Sequence, residues 1–350
     1  MSYDAPEASN ARTGRLPLLV IFFLSGASGL IYEVVWSRSL VLVFGSTTHA
    51  ISTVLAAFMG GLALGSYLVG RRGDRFGDPL KVYALLEVAI AVLALAVLVA
   101  LPAMVPVYRL AWHVAGASPA ALNVLRFFLA SLILLPPTTL MGATLPILSA
   151  YLERASATST TSGAGSSAGA LYTFNTFGAV AGAATSGFLL LPALGVTRAA
   201  LLAAAANLIA AASAMRLSRS LPAARAAQAA QAVPSTLAIT QDAPAQSEPA
   251  EGAVSPALLL LVFAASGAGA LMFEVVWTRI LSLILGSSTQ AFSIMLTTFL
   301  TGLALGSAVA TRWLKKISRP LLVFTLIELG AGLSAFAGIY LFPELPYVFL

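Results

Sequence analysis

Residues 25–66 read SGASGLIYEVVWSRSLVLVFGSTTHAISTVLAAFMGGLALGS, and residues 266–307 read SGAGALMFEVVWTRILSLILGSSTQAFSIMLTTFLTGLALGS. Aligned without a gap at an offset of 241, 24 of these 42 positions are identical. Apolar bias can match one Ala/Leu run with another. It does not keep Glu33, Trp36 and Arg38 in register with Glu274, Trp277 and Arg279. The offset also holds for Arg71/Arg312, Pro79/Pro320 and Glu87/Glu328. The chain therefore contains an internal repeat, and each copy constrains the reading of the other.

Composition says in what medium the repeat folds. Of 350 residues, 59% are hydrophobic and 9% charged, against about 25% charged in a soluble domain. Mean hydropathy is +0.93. A soluble fold has too much surface for its volume to hide this apolar content. That excludes a soluble enzyme, a disordered chain and a nucleic-acid-binding domain, and leaves an all-α polytopic membrane protein. The net charge of +6 and the pI near 9.8 then reflect Lys and Arg in loops on one side of the bilayer. With no cysteine, disulfides, thiolate metal sites and cysteine nucleophiles are excluded.

A bilayer-crossing helix needs about 20 mostly apolar residues. Nine segments qualify: Leu16–Phe44, His49–Val69, Leu80–Met104, Leu122–Leu152, Ala170–Leu191, Val196–Met215, Pro256–Leu285, Gln290–Ala310 and Leu321–Phe342. Arg12 and Arg15 before the first apolar run imitate a signal peptide, but its near-copy at Ala265–Gly286 is internal, so the first run reads as a retained span. With the N-terminus inside, 14 of the 19 Lys and Arg residues fall on the cytoplasmic side, as the positive-inside rule requires. Ala155–Gly169 holds only Ala, Ser, Thr and Gly, a loop composition.

The chain thus divides into a cytoplasmic tail (1–15), a first half of six helices (16–216), a disordered cytoplasmic linker (217–255) and a second half of three helices (256–350). Both repeat copies start on the same side, so the repeat is parallel with six spans per unit. That arrangement resembles the major facilitator architecture. On this reading the second repeat is incomplete, since Leu350 aligns with Arg109.

Ionisable groups inside a membrane are expensive and point to function. Glu33 and Glu274 sit late in the first span of each half, and Glu87 and Glu328 lie about two turns into the third. These four carboxylates are the candidates for cation binding or proton coupling. Arg38 and Arg279 are candidates for structural ion pairs. A five-residue spacing turns an ideal helix by about 500°, so each Glu is expected to find its partner on another helix. The loop run Gly70, Asp74, Arg75 and Gly77 resembles the motif between the second and third helices of major facilitator transporters. Pro136, Pro137 and Pro146 interrupt the fourth span. They either line a cavity with Tyr172 and Asn175, or form a kink satisfied by Thr138, Thr139 and Thr144. His49 and His113 have no metal-ligand spacing, no nucleotide loop follows a strand, and no catalytic set is apparent.

The runs Ser25–Arg38, Phe44–Thr47, Phe58–Ser66 and Met141–Pro146, with Tyr172, Asn175 and Gly178, are similar to the membrane region of the bacterial fused major-facilitator/spermidine-synthase-like family. The resemblance implies a multi-pass protein of the bacterial cytoplasmic (inner) membrane. It also implies an attached aminopropyltransferase-like domain of Rossmann type, which would use decarboxylated S-adenosylmethionine and putrescine. No residue here carries that domain's motifs, so no cofactor or catalytic residue is assigned to this chain. The expected function is a membrane module that anchors such a domain and passes polyamines to it. The alternatives are a stand-alone proton-coupled transporter of a cationic small molecule and a non-catalytic membrane scaffold. Expected partners are the lipid bilayer, polyamines and the aminopropyltransferase domain, with no nucleic acid.

Overall fold

The computed structural model describes residues 7–45, 47–71, 77–114, 118–157, 164–220, 255–313, 317–341 and 344. Among these, every regular element is helical: α1 (Glu7–Phe44), α2 (Thr47–Gly70), α3 (Pro79–Val114), α4 (Pro119–Ala157), α5 (Ala164–Thr185), α6 (Leu191–Ser220), α7 (Pro256–Leu285), α8 (Ser288–Trp313) and α9 (Pro320–Leu341). A π-turn, Ser186–Leu190, joins α5 to α6. The expected linker begins later than residue 217, because α6 runs to Ser220; residues 221–254 lie outside the described set. The expected loop at Ala155–Gly169 is also narrower, with helix to Ala157 and again from Ala164.

Among the described residues, eight helical runs are long and apolar enough to cross a membrane. The longest, Gly169–Arg219, has 51 residues. Straight, it would measure about 75 Å, more than twice the ~30 Å hydrocarbon core. It is not straight. Gly195 has φ 75° and ψ 177°, a backbone region essentially reserved for glycine. The packing shows the chain reversing there. Gly178 of α5 sits on Phe23 and Gly182 on Ala27, so α5 runs alongside α1 in the same direction. Along α6, Ala199 and Ala203 join the cluster around Leu40 and Leu101, whereas Ala210 and Ala214 join the one around Leu18 and Leu80. The nine segments read from sequence therefore correspond to eight helical runs, one of them folded back at Gly195.

Within the first half, directions alternate. Leu134 of α4 packs at the Leu40 end of α1 and Ile147 at the Leu18 end, so α4 is antiparallel to α1. Its partner α2 runs parallel to α4, with Gly61 against Thr138 and Gly65 against Thr139. Without a Cβ, Gly65 and Gly142 let the two backbones touch, which is how membrane helices gain packing contact in the absence of a hydrophobic drive between them. Two buried clusters stack along the bundle: one around Phe22, Tyr83 and Leu148, the other around Trp36, Leu101 and Leu134.

The sequence repeat is also a repeat of local structure. At the same offset, α1 and α7 end at Phe44 and Leu285, α2 and α8 begin at Thr47 and Ser288, and α3 and α9 begin at Pro79 and Pro320. Gly45 (φ 68°) and Gly286 (φ 67°) close the first helix of each copy in the left-handed region. Tyr32 stacks on Trp36 with ring centroids 5.5 Å apart, and Phe273 stacks on Trp277 at 5.5 Å. The environments differ. In α1, 61% of the apolar window is buried, but only 6% in α7 and 6% in α9. The second half docks chiefly through α8, which lies antiparallel along α5 and joins a third buried cluster with Leu30, Val34, Ile51 and Ala183.

Candidate functional site

Glu33 sits on α1 between Leu30 and Val34, two members of the cluster that joins the halves. Glu274 sits at the equivalent place on α7, beside Val275, which packs against the same cluster. Both side chains are fully buried. Among the described residues, none of their four carboxylate oxygens has a hydrogen-bond partner. The two groups are within electrostatic reach of each other. A buried charge with no partner costs several kcal/mol or more. Two such carboxylates within reach of each other need a proton or a counter-charge.

Arg38 and Arg279 do not supply it. Both are exposed, and neither pairs with the glutamate on its own helix. The five-residue spacing turns each arginine away from its glutamate, as helix geometry dictates.

Glu87 is a different kind of site. Ser25 Oγ of α1 donates to its Oε1 at 2.6 Å, and Asn207 Nδ2 of α6 donates to its Oε2 at 2.5 Å. Tyr83 and Tyr32 lie within electrostatic reach of the same carboxylate. Glu87 thus ties α1, α3 and α6 together, with both oxygens already satisfied. Glu328 is half-buried and accepts from Ser266 Oγ at 2.7 Å, the repeat of the Ser25–Glu87 bond. The structure separates the four carboxylates into an unpartnered pair and two helix ties.

In the loop motif, Gly70 ends α2 and Gly77 precedes α3, while Asp74 and Arg75 lie outside the described residues. The neighbouring Asp78 was not singled out from sequence. It caps α3, accepting from the Lys81 N–H at 3.4 Å, and it accepts from Ser218 Oγ of α6 at 2.6 Å. The Asp78-Pro79 pair ahead of an apolar run was a readable helix-start signal.

The prolines of α4 do not open a broken cavity-lining segment. The helix continues across them. Thr138 Oγ1 donates to the carbonyls of Leu134 at 2.8 Å and Leu135 at 3.1 Å, and Thr144 Oγ1 to that of Met141 at 2.7 Å. Asn175 packs on Gly26 of α1, and Tyr172 is exposed.

Sequence reasoning also missed three hydroxyls where α5 meets α8. Ser186 opens the π-turn, and Ser293 and Thr297 lie one turn apart on α8; all three Oγ atoms are buried with no partner among the described residues. The four-residue spacing of Ser293 and Thr297 was visible, but the π-turn that begins at Ser186 and sets Gly187 against Ser293 was not.

Among the described residues, no group of three or more His, Cys, Asp and Glu could hold a metal ion. Comparison with protein-family models, curated proteins and solved structures finds no match for this chain.

Proposed function

We propose that the chain is a membrane module that binds an organic cation between its two halves, with Glu33 and Glu274 as the paired counter-charges. One observation carries this reading: two repeat-related carboxylates, both fully buried and unpartnered, lie within electrostatic reach of each other. A linear polyamine suits such a pair, because it presents separated ammonium groups to two carboxylates contributed by different helices. The sequence resemblance to the fused spermidine-synthase-like family supports the same class of solute. Handing that solute to an aminopropyltransferase-like domain and transporting it across the bilayer both begin with this binding step.

We read the bundle as a major-facilitator-like one, with its N-terminus on the cytoplasmic face of the inner membrane. The parallel repeat and the antiparallel docking of α8 on α5 across the halves support the architecture. The distribution of Lys and Arg supports the orientation.

Calorimetric titration of spermidine into the chain in lipid nanodiscs tests the proposal. Glu33→Gln and Glu274→Gln should each weaken binding about ten-fold or more, since each loses a desolvated charge pair worth roughly 2 kcal/mol or more. Unchanged affinity in both variants would remove the pair from the site.

A further inference from the structure

A small pocket lies between the halves, toward the Phe44 end of α1. Ser37 and Arg38 of α1 line it together with Ser288 and Thr289 of α8, and Val34 and Phe292 are among its apolar walls. Ser37 is only 4% exposed, and its Oγ has no hydrogen-bond partner among the described residues. Its repeat counterpart Thr278 is just as buried but donates to the Glu274 carbonyl at 2.8 Å. The hydroxyl on α1 is thus left over where the one on α7 is satisfied, and a buried hydroxyl without a partner is costly.

The same pocket meets the N-terminus of α8, a helix of 26 residues. The Ala291 N–H donates to the Ser287 carbonyl, and Ser287 Oγ accepts from the Gln290 N–H at 3.4 Å. The N–H groups of Ser288 and Thr289, the two first residues of the helix, have no acceptor within it. No acidic side chain in that first turn meets the positive end of the helix dipole. Arg38 adds a full positive charge, and no carboxylate lines the pocket. A water molecule would satisfy Ser37 but leave this positive field unbalanced. The accessible space, about 10 Å³, holds one water-sized body. That is too little for a whole phosphate or carboxylate and suits a monatomic anion. Helix N-termini and guanidinium groups are common partners of anions, and a halide tolerates apolar walls because it is weakly hydrated. Arg38 is exposed, which gives such an ion a route to the surface.

We propose that this pocket binds a halide ion of the chloride class, held by Ser37 Oγ, the Arg38 guanidinium and the first N–H groups of α8. Ser37 and Arg38 belong to one half and α8 to the other, so the ion fastens the two halves together. The site does not depend on the reading of Glu33 and Glu274 as a cation-binding pair.

Thermal unfolding of the full chain in a maltoside detergent, which brings no phosphate, tests it by comparing potassium chloride with potassium gluconate at equal ionic strength. Chloride should raise the midpoint saturably, by on the order of 3 °C. Arg38→Gln and Ser37→Ala should each raise the half-saturating chloride concentration by about ten-fold or more, since each removes a hydrogen bond to a charged group. Arg279→Gln makes the same charge change at the repeat counterpart and should leave the chloride response as it is in the parent. Absence of a chloride-specific shift in the parent would overturn the proposal, and so would a shift that survives Arg38→Gln and Ser37→Ala, or one lost equally in Arg279→Gln. If Arg38→Gln fails to fold, Ser37→Ala decides between these outcomes. A midpoint that responds to added phosphatidylglycerol but not to chloride would give the pocket to a lipid phosphate and overturn the halide. Spermidine binding is read in a separate titration, so either site can fail without the other.

Discussion

Ser25 donates a 2.6 Å hydrogen bond to Glu87, and 241 residues later Ser266 donates one of 2.7 Å to Glu328. The same bond occupies two different settings. Glu87 is fully buried and held a second time by Asn207, whereas Glu328 is half-buried on a helix with few neighbours. Repetition of the sequence has preserved the local contact but not its surroundings.

That difference sets the first expected outcome. Ser25→Ala strands a buried carboxylate oxygen and should destabilise the bundle by about 1–2 kcal/mol, near the upper end for hydrogen bonds between membrane helices. Ser266→Ala should cost roughly 0.5 kcal/mol or less, because Glu328 is only half-buried. Thermal unfolding of the two variants side by side checks the ratio; equal losses would contradict the asymmetry.

The paired glycine motifs should separate in the same way. Gly65 meets the backbone of α4 at Thr139 and Ala143, whereas nothing lies within 4 Å of a Cβ built at Gly306. Gly65→Ala should push α2 from α4 and cost about 1–3 kcal/mol, as overpacking does elsewhere. Gly306→Ala should be neutral or slightly stabilising, since Ala is the better helix former. Unfolding midpoints of both variants supply the measurement.

Docking of the halves can be tested by crosslinking. The Thr173 and Ser307 hydroxyls are 3.3 Å apart across the α5–α8 contact. Because the chain has no cysteine, Thr173→Cys with Ser307→Cys creates the sole thiol pair. Mild oxidation should close it into an intramolecular disulfide, visible as a mobility shift. Thr173→Cys with Ser66→Cys should not close, although Ser66 is the repeat counterpart of Ser307; its hydroxyl faces Gly142 of α4 instead.

How far the sequence carried these conclusions varies with the physics involved. Helix positions were legible because apolar length is a one-dimensional property, and the repeat fixed them twice, as at Phe44/Leu285 and Pro79/Pro320. Glu33 and Glu274 could be picked out because a carboxylate stands out in an apolar run, but that both lack a partner could not. The separate fate of Glu87 was not, because it depends on Asn207, 120 residues away on α6. Nor was the burial of the Ser186, Ser293 and Thr297 hydroxyls, because Ser and Thr are tolerated throughout membrane helices and only packing shows which are covered. The reversal at Gly195 was placed between two segments, but its sharpness is a backbone property that no neighbouring residue announces.

The central claim is that Glu33 and Glu274, one from each repeat copy, act on a single cation. A double-mutant cycle on spermidine affinity tests it most directly, using Glu33→Gln, Glu274→Gln and the double variant in nanodiscs. If one cation bridges the pair, the double variant should bind no more than about three-fold more weakly than the worse single variant, leaving a coupling of roughly 0.7 kcal/mol or more. Losses that simply add, or a double variant that binds as the parent does, would contradict a shared site.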